Sequence, residues 1–304
     1  MDERKIEIID RTIIVLREIF GDKLKEKSAQ VRELIKLLYI IGSDYIEITQ
    51  ELYEELSPLP QDVKFIISNN NKIEIESVNV LYDILNNKLN IYNKMNARIV
   101  GIDDIIFYDY HKIFLEIIKF FGNNIELSIK NNYKSATAMS LEWVKAGGKK
   151  VVTTFAGIGG FAPLQEILGG SSFLEKIKDH SNYRLFPKVL SIFEDITESK
   201  IRGNAPFIGK DIFNVESGIH VNGIAKDSRT FEPYDPSEIG RRRNIIIGKH
   251  SSVNALEIKL EELNIKYEHD NLTIMLEDVR KLSTQKRGGL NNDEIKRLYK
   301  KLCI

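Results

Sequence analysis

Short apolar segments alternate with amphipathic ones through the first two thirds of the chain. Tyr45–Thr49 and Val63–Ser68 are rich in β-branched residues and predict strands. Between Glu26 and Ile41, apolar residues recur every three or four positions and Gly42 follows, which predicts a helix and its end. Further strands are predicted over Lys5–Ile9, Ala97–Ile102, Ile125–Ile129 and Lys150–Phe155, and further helices over Val78–Leu89, His111–Phe121 and Ser135–Ala146. This alternation predicts an α/β fold with a parallel sheet.

The strand count suggests a shortened barrel. About six or seven strands are predicted here, whereas a complete (β/α)₈ barrel takes ~250 residues. The deficit falls in Asn69–Asn96, where one helix and at most one strand replace two β/α units. Ile201–Pro206 combines Gly, Asn and Pro and is the best linker candidate. We predict an abbreviated, degenerate TIM-like (β/α) barrel over residues 1–185, followed over 186–304 by linker helices and a mainly helical C-terminal subdomain.

Composition argues against several classes of function. The chain has 44 Lys and Arg against 44 Asp and Glu, which leaves no basic excess for nucleic acid. Its one cysteine, Cys303, excludes a disulfide framework and a cysteine-based metal site. Apolar runs stay well below the ~20 residues of a membrane span, and the first residues lack the apolar core of a secretory signal. We therefore expect a cytoplasmic protein with no membrane partner.

Two segments have the residue types of a ligand site. Gly157-Ile158-Gly159-Gly160 follows a predicted strand, where glycines let the backbone approach a ligand closely, although a tight strand-to-helix turn is the favoured explanation. Lys249 and His250 lie before a predicted helix, whose N-terminus favours a carboxylate or phosphate; capping by Ser251 is the competing explanation. His220 follows small residues that could bring its ring into a crowded site, although most single histidines are structural or exposed.

A series of motifs in the last third resembles a known family. Ala205–Phe213 leads into Glu216–Gly223, and Phe231–Pro236 and Ile247–Ser251 follow. This series is similar to the C-terminal subdomains of nitrogen-fixation-type homocitrate synthases, in the alpha-isopropylmalate synthase/homocitrate synthase family. Fainter similarity extends upstream through Tyr133–Ala138 to Asp10 and Thr12.

The resemblance implies an acyltransferase chemistry. In that family a TIM barrel holds a divalent metal that polarises the keto group of 2-oxoglutarate, and a carbanion derived from acetyl-CoA attacks it. The C-terminal subdomain of one protomer covers the barrel of the other and contributes a histidine and a tyrosine. The resemblance makes His220 the catalytic residue and Gly157, Gly159, Lys249 and His250 the substrate-binding candidates.

The sequence departs from the family at the metal site. Ile14-Val15 stand where the family has Arg-Asp, and Ser128-Ile129-Lys130 stand where it has His-x-His. The Gly-Asn segment that follows the glycine loop in the family is shortened here to Gly160–Pro163. Apolar side chains and a protonated lysine cannot ligate a cation, so we expect this chain to bind no metal. Phe231 replaces the family's tyrosine and cannot exchange a proton; Tyr234 is a weak substitute.

These departures favour a split enzyme. The chain looks like the alpha subunit of a two-chain homocitrate synthase for nitrogenase iron–molybdenum cofactor biosynthesis, with Mg²⁺ or Mn²⁺ on a partner subunit that has the intact barrel. A related synthase using another 2-oxo acid (isopropylmalate, citramalate or re-citrate synthase) stays open, as does a non-catalytic regulator of such a synthase. A weaker alternative is a lone enzyme with a metal site built from Asp103, Asp104 and His111.

Overall fold

Two compact units make up the chain. The computed structural model describes residues 6–68, 73–87, 97–122, 125–180 and 182–302. The units are Met1–Gly209 and Lys210–Ile304, so the linker candidate Ile201–Pro206 lies just before their division. The sequence predicts the boundary after residue 185, which is earlier in the chain than this division. Helix α9 (Phe186–Thr197) falls in the first unit because it packs against helix α3 (Ser28–Ile40).

A seven-stranded sheet forms the centre of the first unit. Its strands are β1 (Glu7–Asp10), β2 (Tyr45–Ile48), β3 (Phe65–Ile67), β4 (Ile73–Ile75), β5 (Ala97–Val100), β6 (Ile125–Ser128) and β7 (Lys150–Thr153). All the strand pairs are parallel, in the order β3-β2-β1-β7-β6-β5-β4. Because the first and last strands are neighbours, this is the order of a barrel opened between β3 and β4.

The sheet must curve strongly for the chain to connect its edges. Only six residue steps separate Ile67 at the end of β3 from Ile73 at the start of β4, and such a segment spans at most ~22 Å. A flat sheet of seven strands would place these edges ~29 Å apart. The curved, incomplete sheet confirms the predicted degenerate barrel. Within the stretch where the sequence predicted the deficit, the described residues 73–87 form one strand and one helix.

Helices flank the strands of this unit. They are α1 (Thr12–Phe20), α2 (Lys23–Glu26), α3, α4 (Gln50–Glu55), α5 (Val78–Asn87), α6 (Tyr110–Phe121), α7 (Ala136–Lys145), α8 (Leu164–Gly169) and α9. The periodicity did not predict α1, because Thr12 through Leu16 are all buried and show no polar face. It also missed α4, a helix of six residues that the Thr49 hydroxyl caps by accepting a hydrogen bond from the Leu52 amide.

The barrel interior contains an ion network where aliphatic layers are usual. Arg98 on β5 is only 2% exposed. Its guanidinium donates to Glu126 on β6 at 2.6 and 2.8 Å and to Glu47 on β2 at 3.1 Å. The Nε of Arg11 lies 3.3 Å from the other carboxylate oxygen of Glu47. Two arginines and two glutamates therefore neutralise one another inside the sheet.

The second unit is mainly helical. Its strands β8 (Asn214–Val215) and β9 (Asn244–Ile245) pair in parallel, and its helices are α10 (Gly218–Lys226), α11 (Val253–Glu262), α12 (His269–Lys286) and α13 (Asn292–Leu302). Its core includes Leu256, Leu272, Val279 and Ile295. The predicted mainly helical C-terminal subdomain is confirmed, although periodicity alone had not predicted α10 or α12.

Some expectations fall on residues that the structure does not describe. These are the strand start at Lys5, the helix end at Leu89 and the cysteine at position 303. Across the ranges given above, no helix combines the length and apolar character needed to cross a bilayer.

Candidate functional site

The glycine loop after β7 is a compact turn held by side chains. Gly157 and Gly159 have φ angles of 70° and 72°, a conformation that favours glycine. The Thr154 hydroxyl donates to the Ile158 carbonyl at 2.8 Å, and the Ala156 amide donates to Gln165 at 2.9 Å. These bonds support the tight-turn explanation of the glycines. Binding of substrate by Gly157 and Gly159 stays a prediction.

The positions expected to face a metal contact this loop instead. A Cβ atom on Gly159 would lie 2.7 Å from Cγ1 of Val15, so Val15 packs directly on the loop. The Lys130 ammonium donates to the Gly159 carbonyl at 3.1 Å and lies 3.5 Å from the centre of the Phe161 ring. Burial and the nearby Arg11 charge lower the pKa of Lys130.

These contacts do not fit a divalent cation. The Val15 side chain has no lone pair with which to bind a metal ion. A lysine that donates to a carbonyl and covers an aromatic ring is a cation itself and would repel one. Among the described residues, no three His, Cys, Asp or Glu side chains lie close enough to hold a metal ion, so Asp103, Asp104 and His111 do not form the alternative site. Asp103 is buried and accepts a hydrogen bond from the Asn132 amide. That the chain binds no metal stays a prediction, which the chemistry of these side chains supports.

A buried carboxyl lies beside the same loop. Asp10, at the end of β1, accepts hydrogen bonds from the amide and the hydroxyl of Thr12, both at 2.9 Å. The Thr12 hydroxyl in turn accepts from the Phe155 amide at 2.7 Å, which ties β1 to the turn after β7. Burial raises the pKa of Asp10 to about 7, against the two bonds from Thr12, and Glu47 adds a smaller upward shift.

In the second unit, the short sheet brings the two C-terminal motifs together. Strand β8 leads into Glu216 and the start of α10, and β9 leads into Gly248, Lys249 and His250. The Gly218 amide donates to the His250 carbonyl at 3.4 Å. A Cβ atom on Gly218 would lie 2.5 Å from the Ser252 side chain, so only glycine permits this approach. Motifs about 30 residues apart thus form one structural element.

The amides of the second motif are already bonded to side chains. Gly248 donates to Ser251 at 2.9 Å, Lys249 to Ser283 at 3.1 Å and His250 to Glu216 at 3.1 Å. Helix α11 is capped by Ser252, which accepts from the Ala255 amide. An anion here would therefore have to bind the side chains of Lys249 and His250, which are exposed.

His220 lies exposed on α10 against Phe231. The two ring centres are 4.5 Å apart, and a Cβ atom on Gly223 would lie 2.2 Å from the Phe231 ring, so this glycine makes room for the ring. Tyr234 packs edge-on against Phe213, and burial raises its pKa to about 12. The aromatic neighbour of His220 is therefore a side chain without a proton to exchange.

Sequence reasoning missed three contributors to these arrangements. Phe161 was quoted only as part of a shortened loop, yet its ring receives the Lys130 ammonium. The roles of Glu216 and Ser283 were not predicted, yet these side chains bind the amides of His250 and Lys249. Local sequence gives no signal for either contact, because each joins residues 34 positions apart.

Comparison with known proteins relates both units to homocitrate synthases. The family model "Homocitrate synthase post-HMGL domain-like" matches residues 207–287. The homocitrate synthase omega subunit of Clostridium pasteurianum is 27% identical over 344 aligned positions, which cover 99% of this chain and 97% of that protein. The name of that protein describes it as an omega subunit, whereas the resemblance had suggested an alpha subunit for this chain.

Longer relatives match over part of their length. Homocitrate synthase AksA of Methanothermobacter thermautotrophicus is 33% identical over 57% of this chain and 44% of its own length. The 2-isopropylmalate synthase 2 of Caldanaerobacter subterraneus is 31% identical over 66% of this chain and 54% of its own. The chain thus spans about half of these synthases and nearly all of the Clostridium subunit. The predicted resemblance is confirmed.

Proposed function

We propose that this chain, which is similar to homocitrate synthases and 2-isopropylmalate synthases, is one subunit of a two-chain homocitrate synthase. The complex condenses acetyl-CoA with 2-oxoglutarate and water to give homocitrate and CoA. A partner subunit supplies the metal-binding barrel with Mg²⁺ or Mn²⁺, and this chain supplies the second unit. The product serves nitrogenase cofactor biosynthesis in the cytoplasm.

The contrast between the two units is the observation that supports this proposal. In the first unit, Val15 and Lys130 contact the glycine loop, and the residues that the structure describes there offer no ligand set for a cation. In the second unit, His220, Lys249 and His250 are exposed on a framework of close backbone contacts. Exposed polar side chains on a fixed framework suit action on a substrate held by another chain.

The chemistry needs proton transfers that His220 can serve. A base removes a methyl proton of acetyl-CoA, the resulting carbanion attacks the keto carbon of 2-oxoglutarate, and the former keto oxygen takes up a proton. Water then cleaves the thioester, so the C–S bond breaks and CoA leaves as the thiol. His220 moves a proton or orients the substrate, because an imidazole can donate or accept a proton and the adjacent Phe231 ring cannot.

The first test measures CoA thiol release from acetyl-CoA and 2-oxoglutarate with Mg²⁺ or Mn²⁺. We expect no turnover from this chain alone, and turnover after addition of a synthase chain from the same organism that carries the complete metal motif. Metal-dependent turnover by the isolated chain would contradict the split-subunit proposal.

A second test separates a catalytic subunit from a regulator. His220→Ala in the assembled complex should lower kcat about 100-fold or more, the usual scale for loss of a general acid or base. His269→Ala, which removes a histidine that is 79% exposed in the same unit, is the matched control and should leave kcat unchanged. Unchanged turnover in both variants, with the complex intact, favours the regulator.

Relatives with another specificity keep one alternative open. Because the matches include 2-isopropylmalate synthases, the assay is repeated with pyruvate, oxaloacetate and 2-oxoisovalerate. A kcat/KM higher for one of these than for 2-oxoglutarate would assign a related synthase.

A further inference from the structure

Glu216 is the point at which the two motifs of the second unit are joined. Its Oε1 atom accepts a hydrogen bond from the His250 amide at 3.1 Å. Its own carbonyl accepts from the Ser251 hydroxyl at 3.4 Å, and two residues later Gly218 donates to the His250 carbonyl. Residues 216 to 218 thus bond to the amide and the carbonyl of His250 and to the hydroxyl of Ser251.

The fit around this carboxylate is close. A Cβ atom on Gly248 would lie 2.6 Å from Oε1 of Glu216, so a larger residue at this position would displace the carboxylate. Ser283 of α12 accepts from the Lys249 amide and donates to the Gly288 carbonyl. The backbone of the segment is therefore bonded to both Glu216 and Ser283, while the side chains of Lys249 and His250 stay exposed.

We propose that Glu216 is a positioning residue, which fixes the Lys249–His250 segment relative to the start of the helix that carries His220. The carboxylate does not touch substrate in this role. It acts as a hydrogen-bond acceptor for the His250 amide and sets the spacing between the exposed imidazoles and the Lys249 ammonium. This inference rests on the proposed function, because the groups it positions are those that we place at the partner's site.

Two substitutions at Glu216 separate the acceptor from the charge. Glu216→Gln keeps an oxygen that can accept from the His250 amide, whereas Glu216→Ala removes it. In the assembled complex we expect Glu216→Ala to lower kcat about 10- to 100-fold, the scale of a small misplacement of reacting groups, with KM changing less than threefold. Glu216→Gln should stay within about threefold of the unchanged chain.

The controls distinguish positioning from general damage. Glu277→Ala removes an exposed carboxylate from α12 in the same unit and should leave kcat unchanged. Hydrogen exchange at the His250 amide, measured without turnover, should speed up in Glu216→Ala and not in Glu216→Gln. If Glu216→Ala misfolds, the Gln variant alone still tests the role of the acceptor.

The outcomes separate this inference from the proposed function. Full activity of Glu216→Ala alongside a slow His220→Ala overturns the positioning role and leaves the proposed function standing. A Gln variant as slow as the Ala variant also overturns it, because the negative charge would then be the required property. Full activity of His220→Ala overturns the proposed function itself, and the positioning role with it.

Discussion

Asp10 provides a direct test of how burial of a carboxyl makes the stability of this barrel depend on pH. Its carboxyl is fully buried, and its pKa rises from 3.8 to about 7. Below pH 3.8 the folded and unfolded chains both carry the proton, so the group does not oppose folding. Between these values only the folded chain keeps the proton, and the free energy of unfolding falls as pH rises, by about 1.4 kcal/mol per unit. Between pH 3.8 and 7 the free energy of unfolding falls by about 4 kcal/mol in total, and above pH 7 this group lowers it no further.

Asp10→Asn removes this titration and keeps an oxygen for the Thr12 amide. Urea unfolding of both proteins at pH 4.5, 5.5, 6.5 and 8 should show the variant gaining on the unchanged chain as pH rises, by about 3 kcal/mol across the series. Asp62→Asn, which removes the same charge from an exposed position, controls for net charge. A difference between Asp10→Asn and the unchanged chain that stays constant across this pH range would refute the reasoning.

Two further substitutions test the barrel. Arg98→Met should lower the free energy of unfolding by about 3–5 kcal/mol because it removes the guanidinium that bonds the buried carboxylates of Glu47 and Glu126. Adding Glu126→Leu, which leaves the Arg11–Glu47 pair intact, should recover most of that loss in the same urea titration. A loss below 1 kcal/mol in the single variant would contradict the network. Lys130→Met should cost about 1–2 kcal/mol through loss of the ring contact and the bond to the Gly159 carbonyl. Thermal unfolding with the exposed Lys112→Met as control measures the second effect, and equal melting temperatures would count against it.

Most strands of the first unit were predictable because each is a short run rich in apolar residues. The deficit of β/α units was visible because the Asn-rich stretch Asn69–Asn96 has room for only one helix and one strand. The ion network had a readable signal as well. Glu47, Arg98 and Glu126 are each the one charged residue in a four-residue strand. Which charges meet depends on the register between strands distant in sequence, and local pattern does not contain that register.

The candidate site was predictable to a smaller extent. His220 and Lys249–His250 were found as motifs, but the pattern could not show that the amides around Lys249 bond to Glu216 and Ser283. Those bonds join residues more than 30 positions apart. Similarly, Ile14-Val15 could be recognised as unable to ligate a metal, whereas the packing of Val15 on Gly159 needed the three-dimensional contact.

The two units differ in what their candidate site residues contact, and this difference supports the proposed function. In the first unit, the side chains at the expected metal site contact the glycine loop. Val15 fills the space beside Gly159, and Lys130 donates a hydrogen bond to the Gly159 carbonyl. A ligand entering there would have to displace internal contacts. In the second unit, internal contacts use the backbone amides and leave the imidazoles exposed. The second unit can therefore meet an external substrate without losing internal contacts, which is what the proposed function requires of it.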